Sequence, residues 1–153
     1  MRKRFASLLY NEMNKNDKIV LITGDLGFGL FDEIRKDFPD RFINVGSAEQ
    51  LLIGLAIGMH YKGFIPVCYS ITPFLIYRPF ELLRTYVNHE KIPLKLFGGG
   101  RDKDYSHDGM SHWGCDDIKI LSVLDNIEIH KDDEVDINVL YSNKPVYVNL
   151  RRF

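Results

Sequence analysis

One uninterrupted apolar run, Lys18-Ile19-Val20-Leu21-Ile22-Thr23, constrains the fold of this chain more than any other segment. A strand that is apolar at every position is typical of a parallel sheet covered on both faces. Further predicted strands lie at 42–45, 63–69, 94–97, 127–130 and 145–150, and predicted helices at 2–14, 31–38, 49–60, 73–89, 116–123 and 132–140. This alternation predicts an α/β fold: a single three-layer domain over residues 1–153, with a mainly parallel sheet and helices on both faces.

Length, charge and cysteine content exclude several classes of protein. The 153 residues are enough for one domain with a real core. A formal net charge of -1 argues against binding nucleic acid or a membrane surface through charge. Cys68 and Cys115 have no CxxC spacing and are too few for a disulfide framework. This cysteine content predicts a reducing, cytoplasmic setting. No apolar run is long enough for a membrane helix or for the apolar region of a signal peptide.

Glu49 lies where a predicted strand ends and a nearly all-apolar helix begins. Because a helix that is apolar on every side is normally a buried one, we expect this helix to be buried all round. The helix dipole favours a carboxylate in the first turn, whereas burial disfavours its charge. The pattern alone leaves two interpretations open, a capping residue and a residue that holds a ligand.

Other candidate residues also follow predicted strands. Ligands in α/β folds bind beyond the carboxyl ends of the strands, where Asp25, Glu49, Ser70 and the loop at 98–115 are expected to meet. The turn at 24–29 does not match the dinucleotide pattern G-x-G-x-x-G, although Asp25 can accept a hydrogen bond from a ligand.

An aromatic stripe, Phe74, Tyr77 and Phe80, recurs every three residues just after the third predicted strand. Such a stripe more often belongs to a core. Its position at the expected ligand edge also fits a stacking platform for a flat heterocycle. Pro79 falls within the predicted helix and indicates a kink or a restart there.

The polar loop at 105–115 collects His107, Asp108, His112 and Cys115. Their spacing matches no common zinc pattern, so metal ligation stays a minor alternative. Histidines on a glycine-containing loop at a ligand edge are better interpreted as polar contacts or proton carriers. The sequence contains neither a G-x-S-x-G nucleophile motif nor a phosphate loop ending in Gly-Lys-Ser/Thr.

Five stretches, in this order, resemble the pyrimidine-binding domain of transketolase-like thiamine diphosphate enzymes. They are Thr23-Gly24-Asp25-Leu26; Asn44-Val45-Gly46-Ser47-Ala48-Glu49-Gln50 with the apolar helix after it; the stripe Phe74, Tyr77 and Phe80; Asp108-Gly109-Met110-Ser111-His112; and Pro145-Val146-Tyr147-Val148-Asn149-Leu150-Arg151-Arg152. The resemblance extends from about residue 4 to residue 152. It implies the same α/β fold and a thiamine diphosphate cofactor with Mg²⁺.

The resemblance implies that Glu49 is catalytic and binds the cofactor. It resembles the glutamate that hydrogen-bonds the N1′ nitrogen of the aminopyrimidine and favours the imino tautomer. That tautomer removes the thiazolium C2 proton, and the resulting ylid transfers a two-carbon ketol unit. Phe74, Tyr77 and Phe80 resemble the aromatic residues that pack on the aminopyrimidine, and Asp25 resembles an aspartate near the cofactor and a subunit contact.

The remaining implied roles concern the substrate. Asp108 and His112 resemble residues that reach its hydroxyl and carbonyl groups, and His112 is also assigned a catalytic role. Arg152 falls where related enzymes bind a substrate phosphate, although an arginine there is more often a solvated charge. Transketolases carry a His near the start of the loop that here begins Gly98-Gly99-Gly100-Arg101, which weakens the prediction of a sugar phosphate substrate.

The sequence lacks the G-D-G motif of a pyrophosphate-binding domain and anything resembling a third transketolase domain. The resemblance therefore implies a split enzyme that is active only with a partner subunit, whose pyrophosphate-binding domain supplies the Mg²⁺ ligands. Homodimer contacts are expected as well, and the helix at 50–60 and the aromatic stripe are expected to mediate either self-association or association with the partner. The substrate would be a small keto sugar or 2-oxo acid.

Several alternatives stay open. The chain would instead belong to a thiamine diphosphate-dependent decarboxylase or dehydrogenase, or to an enzyme similar to deoxyxylulose phosphate synthase. A non-catalytic binding module of the same fold and an unrelated doubly wound nucleotide-binding protein are the remaining interpretations.

Overall fold

A computed structural model describes residues 1–130 and 136–152 of the chain. Its strands are β1 (Ile19–Thr23), β2 (Phe42–Asn44), β3 (Ile65–Ile71), β4 (Lys95–Gly99), β5 (Glu128–His130) and β6 (Val146–Leu150). Within the described residues these form one six-stranded sheet in the order β2-β1-β3-β4-β6-β5. Every neighbouring pair is parallel, which confirms the predicted sheet.

Helices connect the strands in alternation. The α-helices are α1 (Arg2–Lys15), α2 (Asp32–Asp37), α3 (Glu49–Tyr61), α4 (Thr72–Tyr77), α5 (Phe80–Leu82) and α6 (Asp117–Leu121). Short 3-10 helices lie at Pro39–Arg41, Ser106–Asp108, Met110–His112 and Ile137–Tyr141, and a π-helix lies at Leu83–His89.

Two hydrophobic clusters cover the two faces of the sheet. On one face, Val20 and Ile22 pack with residues of α3, α4, the π-helix and α6. On the other face, Ile19 and Leu21 pack with residues of α1, α2 and the 3-10 helix Ile137–Tyr141. Because successive strand residues point to opposite faces and both faces are buried, β1 has no position for a charged side chain. The predicted three-layer α/β domain is confirmed.

The expectation that α3 is buried on every side is wrong. Its buried residues are Glu49, Leu52, Ile53, Ala56 and Ile57. Leu51 is 58% exposed, and Gly54 and Gly58 are exposed too. The helix lies against β1 and β3, so only the side that faces the sheet is covered. The apolar residues on the other side of α3 stay at the surface of this chain.

The predicted helix at 73–89 is interrupted at Pro79, as expected. Helix α4 ends at Tyr77, α5 begins at Phe80, and the chain then continues as the π-helix Leu83–His89. Proline has no backbone N–H and its ring clashes with the preceding turn, so a regular helix cannot run through it. Since α4 starts directly after β3, its residues lie at the carboxyl edge of the sheet.

Two of the predicted helices differ in type or length from the observed elements. The predicted helix at 132–140 falls partly outside the described residues, and its described portion is a 3-10 helix at Ile137–Tyr141 rather than an α-helix. The predicted helix at 116–123 is confirmed but shorter, at Asp117–Leu121. In the described part of the chain, none of the helices combines the length and the apolar character that a membrane span requires.

Candidate functional site

Glu49 is the first residue of α3, and its side chain is completely buried. Ser70 Oγ, near the end of β3, donates a hydrogen bond of 2.8 Å to Glu49 Oε1. Arg78 Nη1 donates a hydrogen bond of 2.7 Å to Glu49 Oε2 and forms an ion pair with it. Residue Ala48 is the N-cap of α3, and no side chain caps the helix. The carboxylate therefore contacts two other elements of the fold instead of capping its own helix.

Gly24, directly after β1, allows the backbone to approach this carboxylate. A Cβ atom on Gly24 would lie 3.0 Å from Glu49 Oε1 and 3.0 Å from Ser70 Oγ, which is shorter than ordinary contact. The Gly24 backbone N–H donates to the carbonyl of Tyr69 at 3.1 Å, so the backbone cannot easily retreat. Any larger residue at this position would therefore require Glu49 or Ser70 to shift.

Phe74 and His112 extend the site from Glu49 toward the polar loop. The guanidinium carbon of Arg78 lies 3.8 Å from the centroid of the Phe74 ring, within range of a cation–π contact. The Phe74 ring contacts the His112 ring edge-on, with 4.9 Å between centroids. We call Glu49, Arg78, Phe74 and His112 the edge cluster, because they form a continuous row along the carboxyl edge of the sheet.

The other two residues of the aromatic stripe have different surroundings. Phe80 is half-buried and packs against the core cluster that includes residues of α3 and α4. Tyr77 is 41% exposed. Partial burial, reinforced by the carboxylates of Asp116 and Asp117, raises the pKa of Tyr77 above its ordinary value. Within the stripe, Phe74 is the ring that the structure places against Arg78 and His112.

The loop after β4 is held by contacts to α4 and within itself. Thr72 Oγ1 donates to the carbonyl of Gly100 at 2.7 Å, and Asp102 forms an isolated antiparallel bridge with Gly114. Gly100 has a φ of +95°, and a Cβ there would lie 2.4 Å from the Tyr105 ring. Glycine at this position lets the chain leave β4 in a left-handed conformation and pass close to Tyr105.

The loop histidines pair with their neighbours in the chain. His107 Nε2 lies 3.1 Å from Asp108 Oδ2, and Ser111 Oγ lies 3.0 Å from His112 Nδ1. Among residues 1–130 and 136–152, no group of three or more His, Cys, Asp and Glu side chains is arranged to hold a metal ion. His112 is half-buried against Phe74, whereas Asp108 is exposed beside His107.

Arg152 lies beyond β6 and connects to the edge cluster through Tyr105. Its guanidinium carbon is 4.7 Å from the Tyr105 ring centroid, and the Tyr105 and His112 rings are 6.4 Å apart. Arg2 Nη1 donates to the Tyr105 hydroxyl at 2.9 Å. Arg2, Lys3 and Arg152 line one side of a cavity of about 380 Å³ whose other side is formed by residues 26–30. The structure thus places Arg152 in a basic region next to the loop.

Asp25 follows Gly24 and is exposed, with a φ of +55°. Asn44 at the end of β2 accepts from the Asp25 backbone N–H at 2.9 Å and donates its side-chain amide to Asp25 Oδ1 at 3.3 Å. An aspartate tolerates this left-handed conformation better than most residues. The paired side chains fix the turn that presents Gly24 to Glu49.

Arg78 is the contact that sequence reasoning missed, and Ser70 was expected at this edge without a role. One signal for Arg78 was available, because residues four apart lie on the same helical face and Arg78 follows Phe74 by four positions. Its ion pair with Glu49 spans 29 residues, a separation that periodicity does not detect.

Known proteins are similar to this chain in sequence and fold. The family described as "Transketolase, pyrimidine binding domain" matches residues 1–146. One subunit of an apulose-4-phosphate transketolase of Actinobacillus succinogenes is 31% identical over 98% of this chain and 49% of its own length. A 1-deoxy-D-xylulose-5-phosphate synthase of Dehalococcoides mccartyi is 35% identical over 90% of this chain and 22% of its own.

A solved structure gives the same result for the fold. It is described as "Split gene transketolase, inactive beta4 tetramer", with a TM-score of 0.85 and 27% identity over 99% of this chain and 50% of that chain. The present chain therefore spans half or less of the length of these relatives. The match over residues 1–146 shows that the chain belongs to the family of transketolase pyrimidine-binding domains.

Proposed function

We propose that this chain is the pyrimidine-binding subunit of a split, thiamine diphosphate-dependent transketolase-like enzyme that transfers a two-carbon ketol unit. The observation that carries the proposal is the buried carboxylate of Glu49 at the start of α3. Ser70 and Arg78 donate hydrogen bonds to it, and the guanidinium of Arg78 lies over the Phe74 ring. Residues 1–153 act as one pyrimidine-binding domain in this proposal, and its setting is the cytoplasm.

The geometry around Glu49 fits an aminopyrimidine. The planar guanidinium of Arg78 donates an N–H to Glu49 while it lies over the Phe74 ring. The same place can therefore accept a flat group that carries an N–H donor and stacks on an aromatic face. Tyr77 at the end of α4 and Phe80 at the start of α5 would border the ring, and Asp25 would lie beside the cofactor at a subunit contact.

Glu49 holds a proton at the N1′ nitrogen in this proposal. Its Oε2 accepts the hydrogen bond of that nitrogen, while Ser70 keeps Oε1 in position. Because the side chain is completely buried, water does not compete for the bond. A bound thiamine diphosphate would supply a carbon nucleophile for the carbonyl group of the substrate.

The substrate would lie between the edge cluster and the loop after β4. His112 contacts Phe74 and so lies next to the proposed ring position, where it can donate or accept a proton at the substrate carbonyl. Asp108 would bind a substrate hydroxyl, and Arg152 would bind an anionic end of the substrate from the basic cavity. The substrate class in this proposal is a small keto sugar or a 2-oxo acid.

A partner subunit completes the proposed enzyme. The relatives that match this chain are about twice its length or longer, and one solved relative is described as a split gene transketolase. In the proposal, a pyrophosphate-binding subunit supplies the ligands for Mg²⁺ and the diphosphate, and a second copy of this chain contributes homodimer contacts.

The second candidate is an activity similar to that of deoxyxylulose phosphate synthase, which the 35% identity to such an enzyme supports. Use of a 2-oxo acid as donor releases its carboxylate as carbon dioxide, whereas ketol transfer from a keto sugar releases an aldehyde and no carbon dioxide. Two donors given separately to the assembled complex distinguish the candidates: a keto sugar, and a 2-oxo acid without a hydroxyl group at C3, which has no ketol unit to transfer.

Exchange of the C2 proton of thiamine diphosphate into deuterated water tests the proposal in the assembled complex. General acid–base groups commonly contribute about 10²–10⁴-fold, so Glu49→Gln should slow the exchange by at least about a hundredfold. Gln keeps the size of the side chain and one accepting oxygen, so the fold should persist, and contacts of the diphosphate with the partner subunit should keep the whole cofactor bound. The matched control is Glu81→Gln, an exposed glutamate of α5, which should leave the rate unchanged. Equal rates in wild type and Glu49→Gln would rule out the proposed role.

A further inference from the structure

Arg78 donates its hydrogen bond to the oxygen of Glu49 that would bind the pyrimidine nitrogen, Oε2. Both oxygens of the buried carboxylate are engaged, Oε1 by Ser70 and Oε2 by Arg78. Ser70 is itself fully buried, whereas the Arg78 side chain is 43% exposed and can move into solvent. A ring that binds Glu49 and also stacks on Phe74 would occupy the place of the guanidinium, and it would therefore displace Arg78.

The position of Arg78 also matches the shape of the ring that would replace it. Its guanidinium is planar, lies 3.8 Å from the Phe74 centroid and directs an N–H donor at the carboxylate. An aminopyrimidine ring with a proton on its ring nitrogen makes the same two kinds of contact, a stack on an aromatic face and an N–H hydrogen bond to a carboxylate.

We propose that Arg78 is a placeholder: its guanidinium occupies the place of the aminopyrimidine on Glu49 and Phe74, and cofactor binding displaces it into solvent. This inference rests on the proposed function, because it takes Glu49 as the group that binds the pyrimidine.

A physical reason for such a residue follows from the burial of Glu49. A carboxylate without a partner in the interior is strongly destabilising, so a site that empties between rounds of cofactor binding needs a substitute cation. Arg78 can leave at low cost, since nearly half of its side chain already contacts solvent. Cofactor binding then exchanges Arg78 for the pyrimidine ring as the partner of Glu49. The affinity for the cofactor reflects the difference between the free energies of these two interactions.

Removing the placeholder should strengthen binding of the pyrimidine alone. The probe is 4-amino-2,5-dimethylpyrimidine, titrated by calorimetry into wild type, Arg78→Met, Glu49→Gln and the double variant. Because the probe no longer competes with the ion pair of a buried carboxylate, binding should be at least about fivefold tighter in Arg78→Met than in wild type. In the Glu49→Gln background the same substitution should have less than half that effect.

Arg84→Met is the matched control. Arg84 is an exposed arginine of the π-helix that lines a different surface cavity, together with Thr85, Asn88 and His89. Its replacement removes the same charge from the same helical region and should leave the affinity for the probe unchanged.

A measurement on the wild-type chain covers the case in which Arg78→Met does not fold. The side-chain N–H resonances of Arg78, assigned by ¹⁵N NMR, should be protected from solvent exchange in the free chain and lose that protection when the probe is added.

The outcomes distinguish a failure of the placeholder proposal from a failure of the proposed function. The placeholder proposal would be refuted if Arg78→Met bound the probe equally or more weakly than wild type, or if the Arg78 N–H groups stayed protected in the saturated chain. In either case, a loss of probe binding in Glu49→Gln would still support the proposed function. Probe binding that is absent from all four proteins, or that is independent of Glu49, would contradict both.

Discussion

Gly24 sets the distance between the backbone after β1 and the carboxylate of Glu49. Gly24→Ala places a methyl group 3.0 Å from both Glu49 Oε1 and Ser70 Oγ, so one of the two side chains must shift. Overpacking of this kind costs about 1–3 kcal/mol, and we expect the free energy of unfolding to fall by that amount. Urea denaturation of the purified chain measures it.

Gly54→Ala is the control for this substitution. A Cβ on Gly54 meets nothing within 4 Å, and the residue lies inside α3 without a positive φ. Alanine is a better helix former than glycine, so this variant should be more stable than wild type by about 0.5–1 kcal/mol. Equal stability of Gly24→Ala and wild type would show that the carboxylate tolerates displacement.

At the residue scale, sequence reasoning identified the junction at Glu49 but not its partners. The change from an apolar strand to an apolar helix is a local pattern, and it placed Glu49 correctly at the first position of α3. Arg78 and Glu49 meet because α4 follows β3 along the same sheet edge, which is a property of the tertiary fold. The close approach of Gly24 to Ser70 likewise becomes visible only when β1 and β3 are paired.

Helix α3 presents an uncovered apolar stripe that should mediate association. Leu51, Gly54 and Gly58 are exposed at spacings of three and four residues, which places them on one helical face. An interface through this stripe would bury Leu51, and a charge there would oppose it. Leu51→Glu should therefore shift the chain toward the monomer in sedimentation velocity experiments.

Val123→Glu is the control, because Val123 is 67% exposed but lies after α6 rather than on α3. A general effect of added charge would change both variants equally. Unchanged sedimentation of Leu51→Glu, with wild type associated, would exclude the α3 stripe as the interface.

Lys95 in β4 makes the stability of the chain depend on pH. The side chain is buried, and its Nζ donates to the carbonyls of Ser142 at 2.6 Å and Lys144 at 2.8 Å. Burial lowers the pKa of Lys95 from 10.5 to about 8, an effect that the carboxylate of Glu128 partly opposes. Between these two values the unfolded chain binds more protons than the folded chain, so Lys95 makes the fold more stable as pH rises.

Comparison with Lys95→Met isolates this contribution, because other titrating groups affect both proteins alike. The free energy of unfolding of wild type relative to Lys95→Met should increase from about pH 8 to about pH 10.5, as measured by urea denaturation. A difference that is constant over this range would mean that Lys95 keeps its ordinary pKa in the fold.

At the element scale, strands were predicted better than the ends and types of helices. Continuous apolar runs identify buried parallel strands, and each predicted strand is present in the sheet. The π-helix Leu83–His89 was not predicted, because its bonding pattern depends on how the chain packs after the break at Pro79. The exposed side of α3 was missed because apolar composition does not reveal whether a helix packs on one neighbour or on several.

For the molecule as a whole, the topology brings strand ends that are distant in sequence to one edge. Strands β1, β3 and β4 are adjacent, and the residues after them include Gly24, Arg78 and the loop with His112. This convergence was predictable from the alternation of strands and helices. The different surroundings of Phe80, which packs against the core cluster, and of Phe74, which lies in the edge cluster, were not predictable. A spacing of three residues is compatible with both.

The 153-residue chain alone should bind thiamine diphosphate weakly and show no turnover. Its described residues contain no cluster suited to a metal ion, and Mg²⁺ normally links the diphosphate to protein carboxylates. Calorimetry with Mg²⁺ and thiamine diphosphate measures the affinity before and after the partner subunit is added. Tight binding by the isolated chain would contradict the split-enzyme proposal.

The proposed function depends on a hydrogen bond between Glu49 and the N1′ nitrogen of the pyrimidine, and ¹⁵N NMR can observe that bond directly. Thiamine diphosphate labelled at N1′ is added to the assembled complex of wild type or of Glu49→Gln, at concentrations that saturate both. Sharing of a proton with the Glu49 carboxylate predicts a large upfield displacement of the N1′ resonance in wild type and a much smaller one in Glu49→Gln. The same N1′ resonance position in both complexes would contradict the proposed role of Glu49.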